Sequence, residues 1–528
     1  MKPEPEDTLE KLIELSAEGA RRFFAESLRQ KDRGVTHYIF VRNVPFSRVA
    51  VLNTAALLFF IFWGNFMDAI LKIVQTINAY LSDYILIIML VSCGLFFSFR
   101  TKFVQVRCFG EGMRRMFKDF SMRGKKHKSG MSSFQALTTA VSAQVGTGNI
   151  VGASGAILIG GPGAIFWMWI VAFLGMATIY AEAVLAQKTR ITNPNGSIAG
   201  GPVYYIKTAF TGKFGKFLAG FFAVACTLAL GFFGSMVQSN SIGETCSNAF
   251  GIPSWIIGII VAAVSAFIFI GGISRIASST EKIVPVMACL YILGGLVLII
   301  CRIRYIPETF GLIFKYAFVP NAIIGGSVGY ALKTAISQGV KRGLFSNEAG
   351  MGSTPHAHAL ANVKEPHEQG VMAMVGVFID TFIVLTFTAL IVISTLYAGN
   401  GVLAHGAAEG IVKTNMAQIA FSGIFGVSVG NIFVATCLLF FAFSTIISWN
   451  LFGRVNVKYL FGEKADLPYS IISVAFIFLG SILSNDLVWE LTDMFNNIMV
   501  IPNVIALFAL GGMVKAATKF KSSERLPD

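Results

Sequence analysis

Apolar and polar residues are segregated along this chain in long blocks. Charge-poor apolar runs cover residues 84–99, 134–160, 162–187, 215–242, 252–273, 283–301, 325–358, 370–397, 430–456, 468–484 and 487–514. A helix needs about 20 such residues to cross a hydrocarbon core of ~30 Å. The pattern therefore predicts an all-α polytopic membrane protein of about eleven spans. Val49–Gly64 is a further short run, either re-entrant or an extra span. The first 48 residues are polar and mixed in charge, show no cleavable signal, and contain an amphipathic stretch at Glu10–Arg29 to which no function is assigned.

Two of these runs are interrupted midway by glycine-rich polar clusters. Leu137–Gly155 (LTTAVSAQVGTGNIVGASG) and Leu332–Gly350 (LKTAISQGVKRGLFSNEAG) share Leu, Thr, Ala, Ser, Val, Gly and Gly at a constant offset of 195 residues. The copies are offset by five spans, an odd number, so the second crosses the membrane in the opposite sense. That predicts an inverted repeat of 5+5 helices with one additional N-terminal helix. Interrupted helices at matching positions of two halves point to a transporter's binding site. The resulting layout is an extension at 1–48, an extra helix with a basic loop at 49–129, a first repeat at 130–303, a second at 304–514 and a tail at 515–528.

Composition agrees with a bilayer. Hydrophobic residues make up 55% of the 528 and charged ones only 13%, about half the usual charged share. The formal net charge of +14 raises nucleic acid as a partner, but the positive residues lie in loops between apolar runs. Basic loops mark the cytoplasmic side. Arg100–Lys128, Lys188–Lys216, Arg454–Lys464 and the tail from Lys515 are read as inside, and Cys301–Asn321, with Arg302, Arg304 and Lys315, is the one exception. The seven cysteines form no CxxC and no metal spacing, and are read as small core residues.

At the first break, Gln144–Gly152 (QVGTGNIVG), three glycines weaken the helix. Backbone groups freed there must line a cavity or bind a ligand, because lipid cannot satisfy them. Freed N–H groups at a half-helix end suit a carboxylate. Freed carbonyls, with the Asn149 amide and the Thr147 hydroxyl, suit a hard cation such as sodium. Close glycine packing is the plainer alternative; the clustering of Gln144, Thr147 and Asn149 favours a site. The second break, Gln338–Thr354, holds Lys341, Arg342 and Glu348. Intramembrane charges are costly and are paired or functional. Glu348 is read as neutralising one of the two bases; the alternatives are binding a substrate ammonium or carrying a proton. His356 and His358, two residues apart, point to different helix faces and make a poor metal pair. Glu182 and Asp380 are lone acids for which structure and function weigh equally. Gln238 and Asn240 offer buried amides that could face the cavity. Ser444 and Thr445 either back-bond to their own helix or complete a sodium shell.

The segments SSFQALTTAVSAQVGTGNIVGASGAI (132–157), GGPVYYI (200–206), GLFSNEAGMGS (343–353) and FAFSTIISWNLFGR (441–454) resemble the alanine/glycine:cation symporter family over residues 85–515. The resemblance implies the fold of the bacterial leucine transporter, a prokaryotic cytoplasmic (inner) membrane and uptake of alanine or glycine with sodium, sometimes with protons. It implies that Thr147 and Gly148 bind the substrate carboxylate through backbone N–H groups. Gln238, Phe345 and Ser346 would hold the amino group, and Trp449 would close a small pocket. The carbonyls of Ser142 and Val145, with Ser444 and Thr445, would form one sodium site, and Asn149 would support a second cation or the substrate. Two features depart from the family pattern. Thr354-Pro355-His356-Ala357-His358 stands where small apolar residues are usual, which leaves room for proton coupling or altered gating. The N-terminal extension is the other.

The expectation is thus a monomeric sodium-coupled amino-acid symporter working by alternating access, with the bilayer, sodium and a small amino acid as partners. No cofactor, no metal other than sodium and no nucleic acid enter this reading. A proton-coupled symporter of the same fold is the alternative. An ion channel would need pore-lining repeats, and an enzyme a nucleophile–base or metal set; the sequence offers neither.

Overall fold

The structure, a computed structural model, describes residues 69–118, 130–194, 196–319, 328–404, 406, 409–483 and 485–519. The N-terminal extension, Val49–Gly64, part of the basic loop (119–129) and the end of the tail lie outside them. From Val74 onward the described residues form one compact unit.

The described residues are mainly helical, with one short antiparallel pair, Ile191–Thr192 with Ile198–Ala199, and an isolated bridge between Met131 and Ala361. Among the described residues, seven helices are long and apolar enough to cross a membrane: Ala69–Arg100, Ala164–Thr189, Gly212–Phe250, Gly272–Cys301, Pro366–Leu396, Val427–Phe461 and Asp486–Ala509. Gly148–Gly160, Ser254–Ile270 and Met416–Phe425 are shorter apolar helices. Ile260, Phe267, Ile270 and Leu293 stand more than half exposed, as an outer surface solvated by lipid requires.

The first interrupted run starts as α1 (Ser133–Gln144), whose N-terminus is fixed by a capping box: Ser132 Oγ accepts from Gln135 N, and Gln135 Oε1 accepts from Ser132 N, both at 3.0 Å. It leaves helical geometry at Val145 (φ −82°, ψ 86°) and resumes through a π-turn, Gly148–Gly152, into α2 (Ala153–Gly160). α3 (Ala164–Thr189) follows, buried on most of its surface, which marks a core helix.

The second interrupted run differs from the sequence reading. α4 (Val328–Asn347) continues through Gly343, and the chain turns only afterwards, with Glu348, Gly350 and Gly352 at φ 57°, 92° and 82°. Gly339 inside α4 serves packing. A methyl on Gly339 would lie 2.6 Å from Trp167 Cβ and 2.7 Å from Ala164 O, both on α3. A short helix, α5 (Pro355–Ala359), then precedes α6 (Pro366–Val377).

Two further differences have local causes. The polar stretch Gly272–Lys282, outside the predicted run 283–301, belongs to one helix, Gly272–Cys301. Its polar residues meet α1: Thr280 Oγ1 lies 3.1 Å from Thr139 Oγ1, and Glu281 Oε2 accepts from Gln135 Nε2 at 3.0 Å. In the loop that breaks the charge rule, Arg302 stacks on Tyr305 (4.0 Å) and its guanidinium donates to Ser394 O. Arg302 therefore satisfies a carbonyl at a helix C-terminus, a local task separate from sidedness.

Candidate functional site

The first break abuts the last turn of α4, just ahead of the second break. A methyl on Gly148 would lie 3.0 Å from Ser346 Cα and 3.2 Å from the Phe345 ring. Gln144 Nε2 donates to Asn347 O at 2.8 Å, tying the end of α1 to the end of α4. Thr147 N donates to Gln238 Oε1 at 3.1 Å, so Gln238 reaches the first break and holds an N–H that a carboxylate would otherwise take. The Thr147 hydroxyl and Gln144 Oε1 are buried without a hydrogen-bond partner among the described residues. Polar atoms so buried are costly unless something answers them.

Asn149 is oriented from both ends. Its Oδ1 accepts from Gly146 N at 3.0 Å, and its Nδ2 donates to Asp380 Oδ1 at 2.7 Å and Asp380 O at 3.1 Å. Ser346 Oγ lies 3.0 Å from each Asp380 oxygen, and Thr381 Oγ1 donates to Oδ2 at 2.7 Å. Asp380 therefore joins Asn149 of the first break to Ser346 at the end of α4. The sequence showed it only as a lone acid; its place in a π-helical stretch, Phe378–Leu385, is a feature common at functional sites.

The hydroxyl pair expected on α7 (Val427–Phe461) is split. Thr445 Oγ1 reaches Ser142 O at 2.8 Å as well as Phe441 O of its own helix at 3.0 Å. Ser444 Oγ bonds Phe441 O in its own helix at 2.9 Å and faces Met287 Sδ at 3.4 Å. Adjacent residues on a helix point about 100° apart, whereas i and i+3 share a face. The partner of Thr445 is accordingly Ser448, whose hydroxyl meets that of Ser142. Ser448 was missed, and the three-residue spacing was the signal that could have found it. The Val145 carbonyl lies at the non-helical residue beside this group.

Two aromatic residues wall the site. Phe345 meets Trp449 edge-on at 6.0 Å. Trp449 is 1% exposed, and its Nε1 donates to Glu348 Oε1 at 2.5 Å.

The reading of Glu348 as partner of Lys341 or Arg342 is corrected. Lys341 Nζ lies 2.8 Å from Asp493 Oδ2, and the Arg342 guanidinium forks onto both Asp493 oxygens at 3.2 and 3.0 Å. Glu348 follows the end of α4 with positive φ, which swings its carboxylate away from that helix's bases. Hydrogen bonds take up both ring nitrogens of His356, whereas His358 Nε2 is buried without a partner among the described residues. His356 Nδ1 donates to Ser353 O at 2.6 Å and its Nε2 accepts from Asn456 Nδ2 at 2.9 Å; His358 Nδ1 accepts from Gln369 Nε2 at 2.8 Å. Glu182 accepts from Gly350 N at 3.2 Å and Asn503 Nδ2 at 2.6 Å, anchoring the second turn. Asn240 donates to Leu483 O at 3.3 Å, a structural contact.

Residues 67–525 match the profile described as the sodium:alanine symporter family. AgcS of Methanococcus maripaludis, a sodium/alanine symporter, is 38% identical over 85% of this chain and 96% of its own. GlnT of Bacillus subtilis, a probable sodium/glutamine symporter, is 40% identical over 86% and 91% of the two chains. YrbD of the same bacterium, a putative sodium/proton-dependent alanine carrier, is 39% identical over 84% and 91%. Among solved structures, MhsT in complex with L-phenylalanine superposes with a TM-score of 0.53 at 14% identity, over 75% of this chain and 97% of that one. That likeness speaks for the fold alone, the inverted-repeat fold of the leucine transporter. Broken helices meeting in a polar centre, an apolar outer surface and relatives matched almost end to end lead to one assignment. This chain is a transporter and not an enzyme, a multi-pass protein of the prokaryotic cytoplasmic membrane, and it belongs to the sodium:alanine symporter family.

Proposed function

We propose that this protein imports a small neutral amino acid, alanine or glycine, together with sodium by alternating access. The observation that carries this reading is the meeting of the first break with the end of α4, at Gly148 and Ser346, beside the unanswered Thr147 hydroxyl and Gln144 oxygen. The polar groups there suit a zwitterionic amino acid, with its carboxylate at the first break near Thr147 and Gly148 and its ammonium toward Gln238, Phe345 and Ser346. Trp449 and Phe345 would bound the side chain and keep it short. The group of Ser142, Val145, Thr445 and Ser448 offers oxygen ligands for one sodium. Asn149, Ser346 and Asp380 offer a second cation position with one formal negative charge. Ser444 is assigned to helix packing. The proposed halves are 130–303 and 304–514, in a chain acting as a monomer. At ~100 mV each sodium charge brings about 2.3 kcal/mol from the potential alone.

The test is uptake of labelled alanine and glycine into proteoliposomes, with and without an inward sodium gradient. Wild type is expected to accumulate both only with the gradient. Thr147→Ala removes a hydroxyl contact to a charged group, and such contacts contribute about 1.5–3 kcal/mol. Its apparent affinity for alanine is therefore expected to fall at least tenfold. Uptake driven by a proton gradient alone would replace the sodium reading, and the buried carboxylates Glu348 and Asp380 would become the groups to examine.

A further inference from the structure

Glu348 pairs with neither base of α4, and its own contacts define another task. It is a non-glycine residue held at φ 57°, fully buried, at the first position after α4. Both carboxylate oxygens are engaged, Oε1 by the Trp449 indole N–H at 2.5 Å and Oε2 by the Ser353 hydroxyl. A side chain holds a left-handed backbone only where its surroundings over-determine it. Here they do so with one bond to the substrate-pocket wall and one to the turn that ends the second break.

An indole carries a single polar atom, and when buried that atom needs an acceptor. The ring also lacks symmetry, so the direction of its N–H decides where the six-membered ring lies. In this protein the six-membered ring lies against Gly234, where an added methyl would come within 2.5 Å of Trp449 Cζ3 and 2.8 Å of Cε3. Phe345 holds the indole edge-on from the end of α4. Packing against glycine and phenylalanine supplies no directional bond. The carboxylate of Glu348 supplies it, and so fixes the plane and depth of the pocket wall.

We propose that Glu348 is the positioning residue that sets the substrate-size limit, by fixing the Trp449 ring through its indole N–H. This rests on the reading of Trp449 as the wall of an amino-acid pocket. Loss of the acceptor frees the ring to turn and admits longer aliphatic side chains, while the carboxylate and ammonium contacts of the substrate stay in place.

Two replacements separate this from a merely structural role. Glu348→Gln keeps an acceptor for the indole and a donor for Ser353, with no charge. Glu348→Asn is one methylene shorter, so its amide falls short of Trp449, and asparagine tolerates positive φ better than most residues. The readout is the ratio of inhibition by valine to inhibition by alanine in sodium-driven alanine uptake, measured beside the monodispersity of each purified variant. Glu348→Gln is expected to keep the wild-type ratio. Glu348→Asn is expected to raise it at least tenfold, and to add nothing further in a Trp449→Phe background, where the N–H is already absent. An unchanged ratio in Glu348→Asn, or an increase in the Trp449→Phe background equal to that in the native one, would overturn the proposal. A folded Glu348→Gln that no longer transports would overturn it too, because charge would then be the property that counts. Failure of wild type to accumulate alanine would instead remove the substrate assignment beneath it, a separate result.

Discussion

Replacing Asp493 by alanine is expected to cost about 3–5 kcal/mol of folding stability, among the largest effects open to a single substitution in this protein. Asp493 is 2% exposed and answers two bases from α4, Lys341 at 2.8 Å and Arg342 by a two-pronged pair. Arg342 is itself 8% exposed, and its guanidinium lies 4.9 Å from the Trp489 ring. Trp489 and Asp493 are four residues apart on one helix, so one face of that helix holds both the ion-pair partner and the stacking surface. Removing the acid strands two cations in a site that offers no other carboxylate contact to Arg342 among the described residues. The measurement is the temperature at which purified protein loses its monodisperse peak in detergent, expected to fall well below wild type. Replacing Lys341 and Arg342 by methionine together with Asp493→Leu is expected to recover most of the loss, because an apolar trio carries no desolvation cost. An Asp493→Ala protein as heat-stable as wild type would show that the bases find other partners.

The distance along the chain decides what the sequence could disclose. The first break was legible because glycines and amides stand out inside an apolar run, and Gln144, Thr147 and Asn149 are close neighbours in sequence. The pairing of Arg342 with Asp493 spans 151 residues, and that of Asn149 with Asp380 spans 231. For such pairs, one-dimensional pattern gives only the presence of an acid. Glu348 illustrates the error this invites: a short way along the chain from Arg342, it looked like its partner, but positive φ at one residue redirected it. Gly339, within the second interrupted run, illustrates another. A glycine in a helix serves either to release the backbone or to let a neighbouring helix approach, and only the packing against α3 tells which. The start of the Gly272–Cys301 helix was hidden for a third reason, since its polar residues are satisfied by α1 rather than by water.

Asp380→Asn is expected to weaken the apparent affinity for sodium by about ten- to a hundredfold, with the folded protein retained. Hydrogen bonds converge on this residue's two carboxylate oxygens: one from Asn149, one from Thr381, and the Ser346 hydroxyl placed between both. Hydrogen bonds to a charged group contribute about 1.5–3 kcal/mol each, roughly twice their neutral counterparts. The amide keeps the shape and one acceptor, so the helices still meet. It removes the negative charge and turns one acceptor into a donor facing other donors. A cation beside Asn149 then loses its only formal counter-charge among the groups hydrogen-bonded there. Because Asn149 Oδ1 also holds Gly146 N, a reorientation of that amide reaches the first break, and alanine affinity is expected to fall along with that for sodium. Ser346→Ala removes a hydroxyl but no charge, so its effect on sodium is expected to be smaller than that of Asp380→Asn. The sodium dependence of initial alanine uptake in the three proteins decides the matter. A sodium curve for Asp380→Asn that overlays wild type would confine Asp380 to joining the helices and move the second cation elsewhere. A loss of alanine affinity with unaltered sodium dependence would assign the carboxylate to the substrate ammonium, which the position of Ser346 between the two would then explain.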